Sequence, residues 1–253
     1  MDTLKLLHPH PRDERILFDE PTHTYTIDGD SDYLSVTTIN HAQFTAFDAD
    51  AIIIKMMASV RWPENKYYGK SIEEIKAGWE INRDEAATAG TKLHYDIECF
   101  YNGLPVDNDT AEYQQFMSFV KEHQLKPYRT EWTVWDKDIK LAGSIDIVFE
   151  HMDGTLMIYD WKRSKEIVKA NRYRKFSTTH DLRHVPDTNF WHYALQLNTY
   201  KALLERNYGK TISKMCLVCL HPSQDAYAVF DVPSLTDEIN IMFAARKLVT
   251  KST

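Results

Sequence analysis

The segment 141–162, LAGSIDIVFEHMDGTLMIYDWK, alternates apolar and polar residues and breaks once, at Met152-Asp153-Gly154. A period of two interrupted by a Gly-containing tripeptide predicts two antiparallel strands joined by a tight turn. Each strand also carries a carboxylate, Asp146 and Asp160, which is costly to bury unless its charge is satisfied. If residues 152–154 form a three-residue loop, Gly154 takes the left-handed position that such loops favour. Residue 151 then pairs with 155, and 146 falls opposite 160. Directly opposed side chains share a face, with Cβ atoms ~4.5–5.5 Å apart. Two carboxylates that close repel, and a divalent cation between them removes the conflict. Lys162 lies two residues beyond Asp160 and projects from the same face. A two-residue loop would send the acids to opposite faces. That alternative leaves a surface hairpin with an ordinary Asp–Lys ion pair.

The rest of the chain predicts an α/β fold with a mixed central sheet flanked by helices. Residues 14–40 alternate around Asp28-Gly29-Asp30 and predict a hairpin. Residues 41–80 read as mostly helical, with a break near Pro63. Asn82 and Glu85 fit a capping box for a helix running to about Tyr101, stopped by Asn102-Gly103. A second helix follows Asp109-Thr110, with Phe116, Phe119 and Val120 inward. EWTVW at 131–135 adds a strand, and a long helix fits 188–206, ending at Tyr208-Gly209. Two strands, KMCLVCL and YAVFDV, and a helix from about Ser234 close the chain. The expected organisation is a single domain: an N-terminal hairpin and helical extension over 1–81, core motifs over 82–206, and closing elements over 207–253.

Charge is unevenly spread. The 253 residues carry a net −7, yet residues 162–184 hold eight Lys and Arg against two acids, +6, leaving −13 elsewhere. A basic patch on an acidic body can hold a polyanion at one place only. Nothing approaches the ~20 consecutive apolar residues of a membrane span. The opening MDTLKLLHPHPRDERILF lacks the apolar core of a signal peptide, so an intracellular, soluble protein is expected. Three cysteines are too few for a disulfide framework or for an iron–sulfur cluster, which wants four ligands. Cys216 and Cys219, in the apolar run MCLVCL, read as strand packing.

Two helices add candidate site residues. Gly90, His94 and Glu98 are spaced i, i+4, i+8 along one line of a helix, and Gln196 and Tyr200 are i, i+4 on the long helix. Either set is equally at home as packing.

Taken in order, GTKLHYDIE (90–98), EWTVW (131–135), LAGSIDIV (141–148), IYDWKRSK (158–165) and ALQLNTYKALLE (194–205) resemble the PD-(D/E)xK nuclease superfamily, in its RecB-type exonuclease branch. The S-V-T-T at residues 35–38 and the D-W-K are similar to mitochondrial genome-maintenance exonucleases and their phage and viral counterparts. The resemblance implies a restriction-endonuclease-like core. It also implies that His94, Asp146, Asp160 and the main-chain carbonyl of Trp161 ligate Mg²⁺ or Mn²⁺, and that Lys162 positions or activates water. Gln196 would help fix the scissile nucleotide and the lysine, with Tyr200 supporting that motif. Glu98 and Glu131 would hold a metal-bound water or second ion, or act as structural partners.

The basic segment then begins at the site. Arg163, Lys165, Lys169, Arg172, Arg174 and Lys175, with Tyr173 and Tyr200, become expected DNA contacts. Tyr173, Phe176 and Trp191 could stack on unpaired bases. The implied activity is a metal-dependent DNA exonuclease acting on single strands or free ends in replication, repair or recombination. The sequence has no G-x-x-x-x-G-K-[ST] motif, so a helicase or recombinase partner would be a separate protein. An endonuclease of the same fold and a non-cleaving DNA-binding protein are the alternatives.

Overall fold

In the computed structural model, which describes residues 3–171 and 173–251, α1 (Thr3–Leu7) precedes an antiparallel hairpin of β1 (Ile16–Asp19) and β2 (Thr24–Ile27). The hairpin turns over residues 20–23, with His23 at φ 50°, and not at Asp28-Gly29-Asp30 as expected. Asp28 and Gly29, both at positive φ, turn the chain after β2 instead. The expected partner strand shrinks to β3 (Leu34–Ser35) because Ser35 caps α2 (Val36–His41): its hydroxyl accepts the Thr38 N–H at 3.0 Å. A capped turn outweighs the strand preference of Val36, Thr37 and Thr38.

Asp48 caps α3 (Ala49–Met57). The next helix, α4 (Ile72–Tyr101), begins about ten residues earlier than the Asn82 cap predicts. Ser71 and Glu74 form a reciprocal capping box there, at 3.1 and 2.7 Å. Asn82 lies within the helix and donates to the Gly78 carbonyl. Thirty residues make α4 about 45 Å long. Its C-terminal third is the part that packs, through Leu93 and Ile97, onto α5 (Ala111–His123), capped by Thr110 as expected. No helix among the described residues is long and apolar enough to cross a membrane.

Five further strands complete a mixed sheet: β4 (Lys126–Asp136), β5 (Leu141–Glu150), β6 (Leu156–Lys162), β7 (Ile212–Cys219) and β8 (Ala228–Asp231). Gly154 sits at φ 82°, the loop has three residues, and Ile147 pairs with Tyr159 and Glu150 with Leu156. That is the expected register. β4 runs antiparallel along one edge of β5. The other edge of β5 is shared: β6 takes residues 147–150, and β3 pairs in parallel with Leu141 and Ala142. Between them, at 143–146, β5 and β6 part. This fork is where the site forms.

Helices cover both faces. Tyr159 and Trp161 of β6 point into a cluster with Phe116 and Phe119 of α5. Each such fully buried aromatic contributes roughly 1.5–3 kcal/mol. Ile158, on the opposite face, packs in the cluster containing Ala194 and Leu197 of α6 (Asn189–Asn207) and Ile239 of α7 (Thr236–Thr250). Asp160 and Lys162 share the Ile158 face by alternation. Burying the neighbours of Asp160 in two cores leaves its carboxylate almost no exposure, 3%.

Candidate metal centre

Three acids stand in line across three strands. Glu131 lies across from Asp146 in the β4–β5 register, between the pairs Thr130–Ile147 and Trp132–Ile145. The β5–β6 pairs end at Ile147–Tyr159, one step short of Asp146 and Asp160. The β5–β6 ladder breaks at this point, and the Trp161 main-chain N–H donates to Asp146 Oδ2 at 2.9 Å. In an extended strand a residue's N–H and C=O face the same neighbour, so the Trp161 carbonyl also faces the fork.

His94 comes down from α4, with Nδ1 3.5 Å from Asp146 Oδ2. Ligand atoms of His94, Glu131 and Asp146 lie within 4.8 Å of one another. Asp160 flanks Asp146 on the other side, with Lys162 Nζ 2.6 Å from its Oδ2. This group of three includes Glu131, beside the expected set of His94, Asp146, Asp160 and the Trp161 carbonyl. Glu131 has φ 41°, a strained value for a residue other than glycine inside a strand. Its carboxylate accepts from Ser144 Oγ at 2.8 Å.

These acids feel one another's charge. Burial first, then repulsion from Asp146, raises the Glu131 carboxyl far above the usual range. Asp160 is raised for the same two reasons in the same order. Burial would lower the Lys162 pKa, but the Asp160 and Asp146 carboxylates more than offset it and raise it. The buried Asp160 Oδ2 is met by the Lys162 ammonium at 2.6 Å. One nitrogen and several carboxylate oxygens fit a hard divalent cation such as Mg²⁺ or Mn²⁺.

The group opens into a cleft of about 1100 Å³ between α4, β4 and the β1–β2 hairpin, lined by Phe18, His23, His94, Glu98, Glu131 and Ser144. Glu98 sits one turn beyond His94 on the wall of this cleft and adds to the field on Glu131. It is outside the three-residue ligand group. A Cβ at Gly90 would meet nothing within 4 Å, so that glycine serves no close packing. Gly143 does: a Cβ there would lie 2.8 Å from the Tyr200 ring and 2.9 Å from Val36.

That contact seats α6 over the fork. Tyr200 is buried, 3% exposed, and its hydroxyl accepts from Gln196 Nε2 at 3.2 Å. Burial corrects its expected place among DNA-contacting residues: it packs the helix against β5. Tyr193, one turn before Gln196, puts its ring centroid 4.5 Å from Lys162 Nζ. Nothing in the sequence singles this residue out, because its partner comes from another element.

The basic segment divides. Arg163 is spent on Glu112 of α5 at 2.7 Å with both side chains largely buried, which corrects its expected DNA contact. Lys165, Tyr173, Arg174, Lys175 and Phe176 are exposed. Lys169 is exposed too, lying over the Phe190 ring at 4.5 Å. Trp191 is half-buried and donates to the Lys169 carbonyl. Arg172 lies outside the described residues.

No protein-family model matches the chain, and no curated protein matches it. Among solved structures, SSO0001 is similar at 13% identity over 87% of this chain and 77% of its own, with a TM-score of 0.39. A candidate exonuclease from Eubacterium rectale is similar at 6% identity over 64% of this chain and 65% of its own, just under two thirds, with a TM-score of 0.40. Likenesses this distant leave the chemistry of the site to its own geometry.

Proposed function

We propose that the chain is a metal-dependent deoxyribonuclease, an exonuclease that hydrolyses phosphodiester bonds in single-stranded DNA or at DNA ends. One observation carries this reading: His94, Glu131, Asp146, Asp160 and Lys162 meet at a single fork of the sheet, with Asp146 between the acids of β4 and β6. His94, Asp146 and Asp160, with Glu131 and the Trp161 carbonyl, are the groups that would hold Mg²⁺ or Mn²⁺. Such a cation polarises a phosphate oxygen and lowers the pKa of a bound water.

The protein's own groups do the rest. The Trp161 N–H orients Asp146, with His94 Nδ1 3.5 Å from the same oxygen. Ser144 fixes Glu131. The Lys162 ammonium, kept charged by Asp160 and Asp146, is a fixed positive charge placed to meet the charge that develops on a reacting phosphate. Gln196 donates to the hydroxyl of Tyr200, the residue that packs α6 against Gly143. Exposed Lys165, Lys169, Arg174 and Lys175 supply phosphate contacts, and Tyr173, 77% exposed, offers a stacking face for an unpaired base.

The test is a digestion. Purified protein with Mg²⁺ or Mn²⁺ is given single-stranded, duplex and covalently closed circular DNA, the linear forms labelled at either end. The expected result is cation-dependent degradation of linear DNA from an end, absent with a chelator and absent for the circle. Cutting of the circle would make the enzyme an endonuclease. No cleavage of any DNA with either cation would overturn the proposal.

A further inference from the structure

Beyond the field of Asp146, two groups lie against the Lys162 ammonium: the Asp160 carboxylate, 2.6 Å away, and the face of Tyr193, 4.5 Å from Nζ to the ring centroid. The two behave differently once a cation is present. A carboxylate is a ligand for hard cations and is then shared between the cation and the ammonium. An aromatic face is not such a ligand, so its hold on the ammonium persists. The ring is also anchored. Tyr193 is half-buried on α6, whose position is set by the close approach of Tyr200 to Gly143. Tyr193, Gln196 and Tyr200 follow an i, i+3, i+7 spacing, which puts all three on one face of the helix.

We propose that Tyr193 is the positioning residue for Lys162, its ring face holding the ammonium at the fork when the Asp160 carboxylate turns to a cation. This rests on the nuclease reading above. The hold uses the ring and not the hydroxyl, so phenylalanine can replace it and an aliphatic side chain cannot. Without the ring the flexible four-carbon lysine stem loses its second restraint. The reacting group is then misplaced while substrate binding elsewhere is untouched, so kcat falls and KM does not.

The experiment measures kcat and KM on an end-labelled single-stranded oligonucleotide with Mg²⁺ or Mn²⁺ for wild type, Tyr193→Phe and Tyr193→Leu. The expected result is a loss in kcat of about tenfold for Leu, a factor worth ~1.4 kcal/mol of barrier. KM should stay within about twofold, and Phe should restore kcat to within about twofold of wild type. Wild-type kcat in the Leu variant, or a Phe variant as slow as Leu, overturns the proposal. Should Tyr193→Leu fail to fold, Tyr193→Met fills similar space without a ring face and is read in the same way. A melting cycle of wild type, Lys162→Met, Tyr193→Leu and the double variant needs no activity. Non-additive shifts support the contact and additive shifts overturn it. If the wild type cleaves nothing, the nuclease reading fails separately, and the melting cycle still decides whether the two residues are coupled.

Discussion

Glu131 faces Asp146 across β4 and β5 from a backbone held at φ 41°. A strand residue in the left-handed region costs of order 1–3 kcal/mol and persists only where its surroundings enforce it. Here the strained backbone sets a carboxylate beside another carboxylate, an arrangement that a cation makes favourable.

Replacing Glu131 with glycine separates strain from chemistry. Glycine accepts this backbone conformation freely. The Glu131→Gly variant should melt, without metal, no lower than wild type, while its Mn²⁺ affinity falls by at least about tenfold. Scanning calorimetry and titration calorimetry read the two quantities. Unchanged Mn²⁺ affinity would remove Glu131 from the site.

Asp146→Asn removes the charge that pushes up both neighbours. An Asn oxygen can still accept the Trp161 N–H. The metal-free variant should melt about 2–4 °C higher for each ~1 kcal/mol of repulsion relieved, yet gain no stability from Mn²⁺. A cation-induced rise in melting temperature equal to that of wild type would contradict this.

Protons and cations compete for the site. Glu131 and Asp160 have raised pKa values, so between the usual carboxylate range and those raised values the folded chain holds protons that the unfolded chain has lost. Metal-free stability therefore falls as pH rises through that window, the reverse of an ordinary salt-bridged carboxylate. Cation binding needs the deprotonated forms, tightens over the same window and releases protons. Calorimetric titration in buffers of different ionisation enthalpy measures that release. A pH-independent affinity would show that these carboxyls are not ligands.

At Gly143 there is no room for a methyl group, with Tyr200 and Val36 at 2.8 and 2.9 Å from a built Cβ. Gly143→Ala should cost about 1–3 kcal/mol by overpacking. It should also lower activity in the surviving folded fraction, because α6 carries Tyr193 against Lys162. Melting and specific activity check both parts.

Charge reversal at the exposed Arg174 and Lys175 should weaken binding to single-stranded DNA and flatten its dependence on salt, by a slope of about 0.7 for each phosphate that is no longer neutralised. Fluorescence anisotropy over a salt series reads this directly. Identical curves for variant and wild type would remove the segment from the binding surface.

Sequence alone exposed the Asp146–Asp160 register because Gly154 announces the turn that sets it. The same arithmetic applied to the 137–140 loop would have placed Glu131 opposite Asp146. That turn is closed by Lys140 at φ 43°, a residue type that gives no such signal. The start of α4 is ambiguous in sequence because Ser71/Glu74 and Asn82/Glu85 both fit a cap, with Gly78 between them. Arg163 looked available because its partner, Glu112, lies 51 positions away on α5. Tyr200 is expected at the site from its motif and its spacing from Gln196, and nothing local signals that its ring packs on Gly143 of another element. Local chemistry was readable, and partners brought in by tertiary packing were not.

Anomalous diffraction from crystals soaked in Mn²⁺ tests the centre most directly. The account predicts a peak at the β5–β6 fork, about 2.1 Å from an Asp146 oxygen, with further ligands among His94, Glu131 and Asp160. Mn²⁺ bound elsewhere with this fork empty, in a protein that still degrades DNA, would contradict it.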